Sequence, residues 1–419
     1  MKPALPKSET HFGTNLLGFF VALATIFLLK DVGLTKFDTA LAVLAASVVP
    51  VLLIEFFIFK RHREPSASLT ALRPASVKRV AVKCFGLLAI LGLFAALYTL
   101  FPEYDKRFYD PAWPFYLAML PAAILIAPFY FTWCDARQDI PEDGYYHLGR
   151  MLLKYNASVD THAITCLLRN WLVKAFFLPL MFVYTLEAIY QLQYMDLTPS
   201  TFIELFLIAQ AIIMFGDLLY ATLGYIFTLR IFNAHIRSSE PTFLGWAVAV
   251  LCYYPFWQLL FYNSYFTYQD SYEWMQLIPQ GIWQYVWGST ILVCLVIYVS
   301  STISLGVRFS NLTYRGLVTN GCYRFSKHPG YVGKNLSWWL ISIPFISNEG
   351  IGTAIAHSAA LLGINVIYFI RARTEERHLS NYPEYVEYAL AMNERSIFAP
   401  LAKRVPFLIY KKPETLPRV

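Results

Sequence analysis

Gly316-Leu-Val-Thr-Asn-Gly-Cys-Tyr-Arg-Phe-Ser-Lys-His-Pro-Gly-Tyr-Val-Gly333 is followed, about forty residues on, by Arg371-Ala-Arg-Thr-Glu-Glu-Arg-His-Leu379. Between them lie two apolar segments joined by Ser347-Asn-Glu-Gly350, a link short enough to impose an antiparallel helical hairpin. Polar residues therefore flank a membrane hairpin and meet at its open end, at packed-helix spacing of about 10 Å or less. A bundle that only spans a bilayer has no need of that layout. It suits a site that takes a water-soluble ligand and a lipid-borne one together.

The rest of the chain agrees with a membrane reading. Of 419 residues 57% are hydrophobic and 15% charged, and the mean hydropathy is +0.46; a soluble protein carries about 25% charged residues. The expected fold is all-α: a polytopic transmembrane helical bundle of about ten spans. These fall near 14–30, 39–59, 80–100, 113–134, 171–192, 201–230, 243–263, 282–306, 331–347 and 351–370. The run at 201–230 exceeds the ~20 residues a span needs, so it is tilted or projects beyond the bilayer. Many Trp and Tyr residues sit near segment ends, as interfacial belts do. The six cysteines form no CxxC, which indicates neither a disulfide framework nor a zinc site. Residues 1–14 are polar, and no small-residue cleavage site follows the first apolar run, so no cleaved signal peptide is expected.

Lysine and arginine set the expected orientation. With a cytoplasmic N-terminus, the inner segments hold 30 of the 34 basic residues. The outer loops hold only Lys30, Lys36, Lys106 and Arg107. That bias predicts cytoplasmic N- and C-termini and an even number of spans. Both polar motifs then face the cytoplasm. The net charge of +7 is accounted for by inner loops facing anionic lipid, and calls for no nucleic-acid partner. Residues 1–240 read as a six-helix N-terminal region and 241–419 as a C-terminal region carrying the motifs. Ser238-Ser-Glu-Pro-Thr242 has the composition of a linker and equally that of an ordinary interhelical loop.

In the first motif, His328-Pro-Gly330 forces a non-helical turn before a helix whose free N–H groups favour a carboxylate or phosphate. Gly316, Gly321, Gly330 and Gly333 permit close backbone approach. Arg324, Lys327 and His328 add positive charge, and Tyr323 and Tyr331 offer rings to an adenine or a sulfonium. Each residue taken singly also fits a basic interfacial loop with snorkelling side chains. In the second motif Arg371, Glu375 and Leu379 share a helix face. Glu375 and Glu376 call for a cationic partner, either the neighbouring arginines or the ammonium group of a ligand. Asn381-Tyr-Pro-Glu-Tyr-Val-Glu-Tyr388 reads by itself as an amphipathic interfacial helix.

Together these motifs resemble the C-terminal signature of the isoprenylcysteine carboxyl methyltransferase family and its phospholipid N-methyltransferase relatives. The residues concerned are Gly321-Cys-Tyr323, Lys327-His-Pro-Gly-Tyr-Val-Gly333, Arg371-Ala-Arg-Thr-Glu-Glu376 and Tyr385-Val-Glu-Tyr388. Lys327 stands where many members have Arg. The likeness covers about residues 310–400, and the N-terminal 240 residues have no counterpart in it. It implies an integral membrane enzyme binding S-adenosylmethionine at the cytoplasmic face, in a bacterial inner membrane or an endoplasmic reticulum. The acceptor would be a lipid or lipidated molecule entering from the bilayer, with a prenylcysteine-like carboxylate or a lipid amine as the methylated group. By position, Gly321, Tyr323, Lys327, His328, Tyr331 and Gly333 would lie at the cofactor, and Glu376 would hold its ammonium. Arg371 and Glu375 would face the acceptor, Arg371 orienting a carboxylate or Glu375 taking a proton from an amine.

Two other readings remain open. Sterol and steroid reductases carry a similar hairpin and bind a nicotinamide cofactor; Gly330 replaces the Asn of their pattern. A transporter or scaffold would account for ten spans and for Asp217 within an apolar run, but not for the two motifs. Asp135, Asp139, Glu142, Asp143, His147 and His162 allow a metal site, though a solvated loop is the simpler expectation. Glu55 is expected to snorkel, and His357 to be a core histidine.

Overall fold

The computed structural model describes residues 3–154, 158–262, 266–269 and 273–416. It is the expected all-α polytopic bundle. The helices are α1 (Phe12–Leu28), α2 (Lys36–Leu53), α3 (Val77–Leu100), α4 (Ala112–Asp135), α5 (Gly144–Leu152), α6 (Thr161–Tyr194) and α7 (Phe202–Ile226). They continue with α8 (Phe243–Val250), α9 (Trp274–Leu277), α10 (Ile282–Leu305), α11 (Pro329–Ser342), α12 (Ile351–Leu379), α13 (Pro383–Arg395) and α14 (Ala399–Arg404). Two short strands, β1 (Ser238–Ser239) and β2 (Thr313–Tyr314), pair antiparallel.

Seven helices among the described residues are long and apolar enough to cross a membrane, against ten expected spans. The other three are short for identifiable reasons. The first apolar helix, α1, has 17 residues. The run at 243–263 is α-helical only through Val250; Pro255 lies within it and lacks the N–H and the space a helix needs. The run at 331–347 is the 14-residue α11, about 21 Å at 1.5 Å per residue, against a ~30 Å hydrocarbon core. It stops where Ile343 turns left-handed (φ 41°) and Pro344 follows. The run at 171–192 begins earlier than expected, at Thr161, where Asp160 caps the helix.

The ends of the helices nearest the motifs gather into one polar layer. Residues 3–10 cross it as a strap: the Glu9 N–H donates to the Leu317 carbonyl at 2.9 Å and Thr10 Oγ1 to that of Ser304 at 2.8 Å. Glu9 also takes Arg237 Nη1 at 2.9 Å. The apolar core beneath joins α1, α2, α6, α7 and α10 through buried Phe19, Val48, Phe182, Phe215 and Val299.

At the centre of the polar layer, buried Arg315 donates all five of its N–H groups to backbone carbonyls. Nη1 reaches Gly224 at 2.7 Å and Phe309 at 2.8 Å. Nη2 reaches Phe227 at 3.1 Å and also Ala234, and Nε reaches Ala234 at 2.8 Å. Two of these carbonyls belong to the last turn of α7 and its exit, where a helix leaves acceptors unpaired. The run expected at 201–230 therefore ends at Ile226, its chain turned aside by this contact. Arg315→Met should lower stability by at least about 3 kcal/mol, because several buried acceptors lose their donors together. Thermal unfolding of the detergent-solubilised variant measures this, and a wild-type transition would refute it.

Candidate functional site

The first motif reaches the site through a tight path. Gly321 has φ +54°, and a Cβ there would lie 2.1 Å from Ser304 Oγ. A single turn of 3₁₀ helix follows over Gly321–Arg324. Tyr388 of α13 clamps it, its hydroxyl donating to the Tyr323 carbonyl at 2.8 Å. Tyr385 and Tyr388 are buried against Leu317, Met392 and Tyr410, and burial pushes both phenols well above their usual pKa. The tyrosine-rich segment is therefore a packed clamp, where sequence had indicated an interfacial helix. His328 is non-helical (φ −129°, ψ 57°), and Pro329 opens α11 at its first position, where a missing N–H costs nothing.

The last turns of α12 meet this path from the other side. His328 Nε2 lies 3.2 Å from Glu376 Oε1 and Nδ1 3.8 Å from Glu375 Oε2. Lys327 Nζ also contacts Glu376, and Arg373 Nη1 donates to its second oxygen at 3.0 Å. The Tyr331 hydroxyl donates to Glu375 Oε1. The His328 and Tyr331 rings lie parallel, 5.5 Å apart and 5° off coplanarity. The open end of the hairpin thus brings the two motifs into direct contact.

Arg371 lies one turn deeper. Its guanidinium is buried and stands 5.3–5.8 Å from the ring centroids of Tyr253, Tyr331 and Tyr368. Nη2 donates to Asn311 Oδ1 at 2.5 Å, and Nε is 3.6 Å from Glu375 Oε1. Asn311 in turn donates through Nδ2 to the hydroxyls of Tyr225 and Tyr253 at 2.9 and 3.0 Å. A cavity of about 710 Å³ runs from these groups into the bundle. Its wall includes Asp217, which accepts the Tyr298 hydroxyl at 2.5 Å and also that of Thr302, and Lys334 on α11.

Of the residues singled out by sequence, Tyr323, Lys327, His328, Tyr331, Arg371 and Glu375 line this cavity. Gly321, Gly333 and Glu376 stand behind its wall. Gly333 lets α11 close on α10: a Cβ there would sit 2.5 Å from the Cys294 carbonyl oxygen. Glu376 is largely buried and already has three basic partners, whereas Glu375 keeps an oxygen toward the cavity. Asn311 and Tyr253 carried no sequence signal as site residues, because only the fold brings them to the motifs, and Lys334, next to Gly333, takes its setting only from the rings packed around it. Asp217 was flagged by its place in an apolar run.

The remaining polar candidates are structural. Asp135 is buried and accepts Arg79 Nη2 at 2.9 Å, and Lys83 bridges to Asp143 at 3.0 Å, so these two acids belong to an ion-pair network, while Asp139, Glu142 and His162 are exposed, as a solvated loop would have them. Among the described residues no group of three or more His, Cys, Asp or Glu is placed to hold a metal ion. Glu55 pairs with Arg61 at 3.0 Å with both side chains buried; it does not snorkel. At the cavity wall, where His378 and Glu240 also lie, His378 Nε2 and Ser238 Oγ are 2.9 Å apart, and His378 Nδ1 is 3.9 Å from Glu240 Oε2. Burial raises the Glu240 carboxyl above its usual range. Ser238 lies off the cavity wall and also takes the Tyr382 hydroxyl at 2.6 Å, so this cluster fastens β1 to α12.

The DUF1295 family, described as a protein of unknown function, matches residues 271–391. That stretch spans α10 to α13 and so contains both motifs, Lys334 and the Tyr385–Tyr388 clamp. No curated protein and no solved structure matches the chain.

Asn311→Ala should cost about 1–3 kcal/mol, since it strips buried Arg371 of an acceptor and two tyrosine hydroxyls of their donor. A thermal-shift measurement that leaves the midpoint unchanged would show that Asn311 does not hold the site together.

Proposed function

We propose that the protein is an integral membrane, S-adenosylmethionine-dependent methyltransferase acting on a lipid-borne or amphiphilic acceptor. One observation carries this reading: His328, Tyr331 and Glu375 converge on the wall of a cavity that continues among membrane-spanning helices. The resemblance of the motifs to the isoprenylcysteine carboxyl methyltransferase and phospholipid methyltransferase signatures supports it. The distribution of basic residues supports a site at the cytoplasmic face.

The donor set fits such a cofactor. Glu375 Oε2, 3.8 Å from His328 Nδ1, is the carboxylate oxygen that would take an ammonium group, a role that sequence had given to Glu376. The parallel His328 and Tyr331 rings offer π faces to an adenine or a sulfonium. When bound, the cofactor supplies an electrophilic methyl group. The chain's own part is alignment. Arg371, fixed by Asn311 and three tyrosine rings, presents its charge to the acceptor side without rotamer freedom. Glu376 acts at one remove: held by Lys327 and Arg373, it fixes the His328 ring through Nε2. Buried aromatic walls exclude water from the transfer path.

Calorimetric titration of the purified protein with S-adenosylhomocysteine and, separately, NADPH tests the proposal. Micromolar binding of the homocysteine compound alone is expected. Binding of NADPH alone would assign the protein to reductase chemistry, and binding of neither to folded protein would leave a transporter or scaffold. Glu375→Gln and His328→Ala should each weaken S-adenosylhomocysteine binding by about tenfold or more, the loss of one charge-assisted contact. Arg371→Ala should leave that affinity nearly intact and remove turnover; unchanged turnover would take Arg371 out of the acceptor site.

A further inference from the structure

Lys334 lies on α11 one turn beyond Tyr331 and lines the same cavity. Its ammonium is surrounded by ring faces, 5.2 Å from the Tyr298 centroid, 5.2 Å from Trp338 and 5.6 Å from Tyr368. Among the described residues no carboxylate or carbonyl oxygen is within hydrogen-bond or ion-pair distance of it. An ammonium has three N–H donors, and ring faces compensate their desolvation only in part. A cation left without an acceptor inside a membrane bundle is costly and points to a ligand.

The neighbouring acids, Asp217 and Glu375, are turned to other partners and make no ion pair with Lys334. Asp217 has both oxygens engaged by the Tyr298 and Thr302 hydroxyls, and Glu375 Oε1 is taken by Tyr331. Beside Lys334 the cavity thus holds a cation with no acceptor in contact, which is the complement of an anionic oxygen group. Further along, the wall turns apolar and comes from the N-terminal region, with Met181 and Tyr184 of α6 and Met214 and Leu218 of α7.

We infer that Lys334 anchors the headgroup of an amphiphile bearing an anionic oxygen group, a carboxylate or a phosphate monoester, whose apolar chain lies against α6 and α7. The inference rests on the acceptor side of the proposed methyl-transfer site, and it selects an acidic acceptor over an amine. It also gives the N-terminal helices a task, that of walling the chain compartment.

The test is titration of the full-length protein, in nonionic detergent, with four probes sharing one chain: oleate, oleyl phosphate, oleyl alcohol and oleylamine. At least one of the anions should bind about tenfold or more tightly than the alcohol, as one charge-assisted hydrogen bond allows. Which anion leads identifies the headgroup. Lys334→Met should bring that anion and the alcohol to parity, and Lys334→Arg should keep the preference. Alcohol or amine binding as tightly as the better anion in the wild type would overturn the inference. So would a preference that survives Lys334→Met. Should the methionine variant not fold, the wild-type series decides alone. S-adenosylhomocysteine titrated into the same preparations separates the two ideas. Its binding without an anion preference removes Lys334's role only, and an anion preference without its binding removes only the cofactor reading.

Discussion

The guanidinium of Arg315 is the contact on which the polar layer depends. Helix α7 ends with acceptors that water cannot reach, and the segment from Gly306 to His328 must pass directly over that end to deliver His328 to α12. Arg315 meets both demands at once, giving its five N–H groups to the α7 exit, to Phe309 and to Ala234. A planar fork of fixed donors does this where a lysine, with a point charge and three mobile donors, would not. Once the segment is seated, β2 can pair with β1, the N-terminal strap can cross, and the first motif is presented at a fixed height above the bundle.

The site built on that base handles its charges in two ways. Glu376 is encircled by Lys327, His328 and Arg373, so it is a structural ion centre behind the wall. Arg371 and Lys334 instead stand among aromatic faces, an environment that tolerates cations; Arg371 also donates to Asn311, while Lys334, among the described residues, has only the rings. Two cations held this way along one cavity give it a polarity that runs from the Glu375 end toward α6 and α7. For the proposed methyl transfer, which mainly requires recognition and alignment, the placement of these fixed charges is the relevant feature.

Part of this was legible in the chain. The short Ser347–Gly350 link and the apolar runs on either side fix a hairpin, and a hairpin must bring His328 and Glu375 together, so the meeting of the two motifs was readable before any coordinates. Helix propensity and hydropathy could not reveal where spans stop short. Pro255 and the left-handed turn at Ile343 interrupt runs that remain apolar throughout, and hydropathy windows see only the apolarity. Asn311, Tyr253 and Lys334 escaped because their roles arise from packing between elements distant in sequence. Glu375 and Glu376 are adjacent in sequence, yet only burial distinguishes the carboxylate that faces the cavity from the one locked behind it.

The tail after α13 folds back on the core of the site. The Tyr410 hydroxyl is 2.6 Å from Ser380 Oγ, Asn393 brackets the Tyr410 backbone at 2.9 Å on both sides, and Arg395 holds the Pro3 carbonyl at 2.8 Å. Residues near both ends of the described stretch are therefore stitched into one layer. During synthesis the membrane helices can insert one after another, but this layer has no complete form until residue 410 has left the ribosome. Order of assembly thus runs from the bilayer outward, with the polar layer last.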